Sequence, residues 1–231
     1  MVGGFFKRFF QFRLALIIII AAILLLTFFA KQYAFFSFDL YITQEIQLLP
    51  RQFAGDILLF VSWLGNFFQV LTSVFIACGL LAYYRRWHLA AGLFISTIGA
   101  VAISETLKWL VGRPRPNPEL IRQFEIFFRD DSFPSGHVLF AMGFYGFLLF
   151  VTYVLIRNKL LRSLITLVLI ILIILMGLSR IYKGSHWFSD TLASYLIGTV
   201  WLYIVIQAYY RLVREKKIKP GEIRLSGKLK T

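Results

Sequence analysis

The sequence predicts an all-α integral membrane protein: six transmembrane helices in a bundle, with a short interfacial helix between the first and the second. Two observations carry that class. The 231 residues are 59% hydrophobic and 18% aromatic, whereas soluble domains average about 45–50% apolar residues. Six apolar runs, near 12–30, 57–84, 88–112, 137–156, 161–180 and 188–210, each supply the roughly 20 residues that cross a hydrocarbon core about 30 Å thick. The chain therefore reads as an N-terminal anchor and interfacial segment (1–56), a helical core (57–210) and a basic tail (211–231). No internal repeat or separate soluble domain is evident.

The first run follows Lys7, Arg8 and Arg13 and is succeeded by Phe28, Phe29, Lys31 and Tyr33 instead of small residues. That pattern predicts a retained signal-anchor helix, not a cleaved leader. In the segment that follows, Phe35, Phe36, Phe38, Leu40 and Tyr41 alternate with polar positions. It predicts a helix lying at the membrane surface. Cys78, the single cysteine, sits inside the second run; disulfides play no part, and small apolar packing is its expected role. The short turns at 83–87 and 157–162 make their neighbouring helices antiparallel hairpins. The loop at 112–131 is the longest polar insertion, and Pro114, Pro116 and Pro118 preclude a regular helix in its first half. Farther on, Phe124, Ile126, Phe127 and Phe128 form an apolar patch that either rims an opening for acyl chains or simply rests on the membrane.

Net charge is +14 and unevenly placed. With six spans, sixteen of the 25 Lys and Arg residues, eight of them from Arg211 onward, but only Glu215 and Glu222 among the 11 acids, fall on the side of the two termini. The positive-inside rule then puts both termini in the cytoplasm, in a multi-pass protein of the cell inner (plasma) membrane. The basic tail is read as a topology determinant touching anionic lipid, and nucleic acid is not expected as a partner.

Three stretches carry the chemistry: 108–116 (KWLVGRPRP), 134–137 (PSGH) and 179–190 (SRIYKGSHWFSD). Each borders an apolar run, so all three fall on the extracytoplasmic side. His186 and Asp190 are four apart at the start of the sixth run, where a helix puts them on one face. A carboxylate on one imidazole nitrogen leaves the other basic and aimed, as a nucleophilic histidine requires. Arg180 offers a permanent charge and forked donors to a phosphate. In PSGH, Ser135 reads as a helix cap, and the free amides that follow, Gly136 included, make an anion site backed by the helix dipole. His137 on that first turn can protonate a departing oxygen. Lys108 is costly near the end of the third run unless it pairs with Glu105 or faces the site. Arg115 is held by flanking prolines, whereas Arg113 is treated as secondary.

The ordered set Lys108-x6-Arg115-Pro116, Pro134-Ser135-Gly136-His137 and Ser179-Arg180-x5-His186-x3-Asp190 resembles the three-part signature of the type 2 phosphatidic acid phosphatase superfamily, over roughly residues 57–210. Phe188 and Ser194 stand where many relatives have proline and glycine, which bears on subfamily. The resemblance implies that His186 attacks phosphorus to give a phosphohistidine, with Asp190 orienting it. It implies that His137 serves the leaving group and then water, and that Lys108, Arg115, Ser135, Gly136 and Arg180 cradle the phosphate. No metal and no cofactor are expected. The implied substrate is a phosphorylated membrane lipid: phosphatidylglycerophosphate, phosphatidic acid, diacylglycerol pyrophosphate, an undecaprenyl diphosphate or a phosphorylated lipid A. A lipid phosphotransferase using the same site, and a non-catalytic lipid-binding or transport protein, are the alternatives; oligomeric state is left open.

Overall fold

The computed structural model describes residues 2–124 and 131–215. The basic tail beyond 215, and Ile126, Phe127 and Phe128 of the apolar patch, lie outside the described residues. Among the described residues eight α-helices follow one another: α1 (Val2–Gln32), α2 (Ser37–Gln47), α3 (Asp56–Leu64), α4 (Phe67–Tyr83), α5 (Trp87–Val111), α6 (Gly136–Leu155), α7 (Lys159–Tyr182) and α8 (Phe188–Glu215). Of these, α1, α5, α6, α7 and α8 are each long and apolar enough to cross a membrane. The apolar spans within them, Arg13–Gln32, Trp87–Val111, Gly136–Leu155, Lys159–Tyr182 and Phe188–Val213, agree with the predicted runs to within a few residues, because uninterrupted hydropathy defines both.

The second run departs from expectation. It is broken into α3, preceded by an irregular turn at Arg51–Gly55, and α4, and the two parts meet at 65°. The break is local chemistry. Gly65 and Asn66 donate their N–H groups to Ser62 O (3.1 Å) and Trp63 O (3.0 Å), a tightened last turn that stops α3. Asn66 is then extended (φ −73°, ψ 157°) and α4 starts afresh behind it. Hydropathy is continuous across this point, so the composition of the run conceals the bend.

Helix α2 is the expected interfacial helix, but turned around. Asp39, Thr43 and Gln47, four residues apart, form a polar stripe that is buried, while Phe38, Tyr41 and Leu48 are exposed. The polar stripe faces the ends of α7 and α8, so α2 offers its apolar side outward. Gln47 fixes it: its amide Nε2 donates to Tyr182 O (3.0 Å) and Arg122 O (2.7 Å), and its Oε1 accepts from Arg122 N (3.0 Å).

Helix α6 is the axis of the bundle, packed by α5, α7 and α8. Val138, Leu139, Phe140, Ala141, Phe144 and Phe147 are all buried along it. By contrast only Ala30 is buried within residues 13–32 of α1. Where lipid tails are as apolar as the side chains, close approach of backbones holds helices together. The α5–α6 crossing shows this: Ser96 Oγ donates to Gly143 O (2.8 Å), and a methyl group on Gly143 would sit 2.7 Å from Ser96 O and 2.9 Å from Ala100 Cβ. Cys78 packs between α4 and α5, with its thiol 3.6 Å from Ala90 O.

In this up-and-down arrangement the C-terminal ends of α5 and α7 and the N-terminal ends of α6 and α8 share one end of the bundle. That is the end bearing the three sequence stretches. Gly143→Val, which forces α5 and α6 apart, is expected to cost about 1–3 kcal/mol or more of stability. A lowered thermal unfolding midpoint in detergent is the readout, with Gly79→Ala, where a methyl meets open space, as an unaffected control.

Candidate active site

Each element delivers its residues by a local rule. Helix α5 ends on Gly112 in the left-handed region (φ 62°, ψ 32°), whose N–H caps Lys108 O at 2.9 Å. Glycine takes this conformation without strain, and the chain turns inward at Arg113. The loop then closes on itself: Pro114 bridges antiparallel to Asp131, and Ser132 N donates to Arg113 O (2.7 Å). That closure carries Ser132 to the site and hands the chain to Ser135, the N-cap of α6. After α7, Gly184 at φ 71° turns the chain so that Ser185 N reaches Arg180 O (3.0 Å) and His186 points back into the bundle.

The predicted residues converge. Arg115, Arg180, Lys108 and His137 all lie close enough to His186 to act on it electrostatically, and the same three cations, joined by Lys183, surround His137. Lys108 Nζ is 2.8 Å from Glu105 Oε1, yet also 3.6 Å from where a methyl on Gly136 would stand. The expected pairing and the expected approach to the anion site thus coexist. Arg115 Nη1 donates to Ser185 O (2.8 Å) and Arg180 Nη1 to Ser62 Oγ (2.5 Å). The Ser135 N–H is engaged by Ser194 Oγ (2.8 Å), which itself donates to Asp190 O (2.6 Å). The hydroxyl at position 194, where many relatives of the signature carry glycine, therefore ties the start of α6 to α8. The amides that follow, Gly136 first, have no acceptor within the helix. The buried Ser104, Ser135 and Ser185 hydroxyls find no partner among the described residues; such groups suit an anionic guest.

One expected contact is replaced by another. His186 precedes α8, so it does not share a helix face with Asp190: its Nδ1 is 3.9 Å from Asp190 Oδ2 and 2.7 Å from Ser132 O. The Ser132 carbonyl accepts the Nδ1–H, which leaves Nε2 with the free lone pair. Asp190 instead accepts from Trp187 N (2.9 Å), Ser132 Oγ and Arg113 Nη1 (2.5 Å). The carboxylate thus orients the imidazole through Ser132 and the Trp187 backbone.

Arg113, treated as secondary in the sequence, is the centre of a buried charge cluster. Its Nη1 bonds Asp190 and Ser189 Oγ (2.7 Å), its Nη2 bonds Asp39 Oδ2 (3.0 Å), and its Nε donates to Ala34 O (3.1 Å). All three charged side chains, Arg113, Asp39 and Asp190, are fully buried. Asp39 also accepts from Ser189 N and Ser189 Oγ, both at 2.7 Å. No spacing rule joins residues 39, 113 and 190; the only sequence signal was an arginine among prolines. Lys183, Ser132, Ser62 and Asn66 were likewise missed, since none belongs to the three stretches' recognised positions. A cavity of about 790 Å³ opens between α2 and the loop, with Arg51, Arg122 and Tyr182 in its walls. Phe124 stacks on Tyr182 there (ring centroids 5.5 Å apart) and lines the cavity.

Burial first, then Arg115, Arg180 and Lys108, hold the His186 imidazole well below its ordinary range. Neutral at pH 7, the imidazole keeps its Nε2 lone pair without prior deprotonation. The same shift sets a pH dependence of stability. The unfolded chain binds a proton near pH 6.5 while the folded one resists it, so stability is full above about 6.5 and declines as pH falls below that, by up to about 1.4 kcal/mol per pH unit. Thermal midpoints in detergent between pH 8 and 5 should show a steeper acid loss in the wild type than in His186→Asn. Asp39→Ala, which strips one counterion from buried Arg113, should cost about 3–5 kcal/mol in the same assay.

Comparison with known proteins agrees with this geometry. The family model described as PAP2 superfamily matches residues 87–214. Phosphatidylglycerophosphatase B of Bacillus subtilis (strain 168) is 24% identical over 177 residues, covering 73% of this chain and 82% of that protein. The crystal structure of a transmembrane PAP2 type phosphatidylglycerolphosphate phosphatase from Bacillus subtilis superposes with a TM-score of 0.69 at 20% identity, over 90% of this chain and 98% of the other. Aquifex aeolicus LpxE superposes with a TM-score of 0.58 at 24% identity, over 74% and 96%. At these identities the structures speak for the fold, and the family model, which spans more than half of the chain, for the kinship: this chain belongs to the PAP2 superfamily.

Proposed function

We propose that this protein is a membrane lipid phosphatase that works through a phosphohistidine and needs no metal ion. The observation that carries the reading is the convergence of two histidines and three fixed cations around one buried spot at the end of the bundle. Lys108, Arg115, Arg180, the Ser135 hydroxyl and the Gly136 amide hold the phosphate oxygens. The Nε2 lone pair of His186 attacks phosphorus; a P–N bond forms as the P–O bond to the leaving group breaks. His137, protonated, gives its proton to that departing oxygen. Water then attacks the phosphohistidine, its proton passes to His137, and the P–N electrons return to His186. Charge that develops on the phosphoryl oxygens meets side-chain cations already in place, the role Mg²⁺ fills in other phosphoryl-transfer sites.

The substrate is a phosphorylated lipid lying in the bilayer, with a phosphatidylglycerophosphate-type monoester first in line because of the Bacillus relative's assignment. The charge distribution orients the chain with its termini in the cytoplasm, so the headgroup is cleaved on the extracytoplasmic side. Phosphate release from purified protein should proceed in excess chelator. A panel of phosphatidylglycerophosphate, phosphatidic acid and polyprenyl diphosphate ranks the headgroups. His186→Ala should abolish turnover, and Arg115→Ala or Arg180→Ala should lower it about 10²–10³-fold. Full activity in His186→Ala would overturn the assignment of the nucleophile.

A further inference from the structure

The bend in the second run reaches the chemistry. Three contacts place it there. Gly65 lies so close to the His137 ring that a methyl group on it would sit 3.0 Å from the ring Cγ and 3.2 Å from Nε2. Asn66 Oδ1 is 3.4 Å from His137 Nε2. One turn earlier, Ser62 Oγ accepts from Arg180 Nη1 (2.5 Å). The end of α3 and the break behind it are therefore set against two residues of the site.

The behaviour of Asn66 is the telling part. Asparagine is among the best N-cap residues because its side-chain oxygen takes a backbone N–H of the first turn. Asn66 occupies the N-cap of α4 and makes no such bond. Its carbonyl oxygen faces the imidazole instead, while Gly65 leaves room for the ring. A helix break that gives up its own cap beside the one histidine of α6 has a use other than turning the chain.

We infer that Asn66 is a positioning residue for His137, and that the Gly65–Asn66 break is the fourth part of this protein's active site. The inference rests on the reading of His137 as the proton donor to the leaving group. In the imidazolium both nitrogens carry hydrogen: Nε2–H donates to Asn66 Oδ1, and the opposite edge, with Nδ1–H, is presented to the departing oxygen. As the P–O bond breaks and His186 gains its bond to phosphorus, the Nδ1 proton moves to that oxygen and the ring stays anchored through Nε2. The groups that share the ring's surroundings are Lys108, Arg115, Arg180, Lys183 and His186. Among these and Asn66, Asn66 alone offers the imidazolium an uncharged amide oxygen.

A role in aiming an acid differs from a structural role in its dependence on the leaving group. Alkoxide departure needs the proton, whereas aryl oxide departure scarcely does. The test compares wild type, Asn66→Ala and Gly65→Ala, purified in detergent, on two phosphate monoesters with the same tail, one alkyl and one aryl. Loss of aim is expected to lower kcat/KM, which reads the step that expels the leaving group and not the later attack of water, about tenfold or more on the alkyl ester and less than about threefold on the aryl ester, in both variants. Equal losses on the two esters, or none, would overturn the inference while leaving the phosphatase reading intact. A wild type that releases phosphate from neither ester would sink that reading itself. If Asn66→Ala does not fold, Gly65→Ala alone decides, since it displaces the same ring from the other side.

Discussion

The site depends on one buried guanidinium. Arg113 joins Asp39 of α2 to Asp190 of α8, and its Nε holds the Ala34 carbonyl between α1 and α2. A charge inside protein is tolerable only when it is paired and its remaining donors are satisfied. Here one arginine serves two carboxylates, a serine hydroxyl and the backbone, and Ser189 completes Asp39. The cluster thereby fixes three pieces of chain that are distant in sequence. It also fixes Asp190, whose other oxygen gathers Ser132 and Trp187 N, and so the carbonyl against which His186 rests. Alignment of the His186 ring is a consequence of how α2 is docked.

That dependence explains the odd character of α2. An interfacial helix commonly buries its apolar face in lipid and offers its polar face to water. This helix turns its polar stripe into the protein because the ends of α7 and α8 supply the partners for it: Ser189 for Asp39, and the Tyr182 carbonyl for Gln47. Its apolar side is then free for the membrane. The same economy governs the other end of the site, where the broken second run brings Ser62 to Arg180 and Asn66 to His137 without leaving a long polar loop in lipid.

The legible part of the molecule is the part governed by one-dimensional signals. Span limits follow hydropathy, and Lys108, Arg115, Ser135, Gly136, His137, Arg180, His186 and Asp190 follow ordered motifs at helix ends, which the antiparallel bundle then gathers. What escaped was governed by contact between distant segments. Arg113 looks like any basic loop residue until Asp39, 74 residues away, is seen beside it. The bend at Gly65–Asn66 lies inside unbroken hydropathy and is marked by two letters only. The helical i,i+4 rule misled for His186 and Asp190 because α8 begins at Phe188. The two are near each other, but through Ser132 instead of through a direct bond.

His186 Nε2 is the atom proposed to take the phosphoryl group. Rapid quenching of the protein during turnover, under alkaline conditions that preserve phosphoramidates, followed by mass spectrometry of its peptides, reads that directly. One phosphoryl group is expected on the peptide carrying His186, labile to acid and absent once substrate is exhausted. Turnover with no covalent phosphoryl enzyme, or with the label on any other residue, would contradict it.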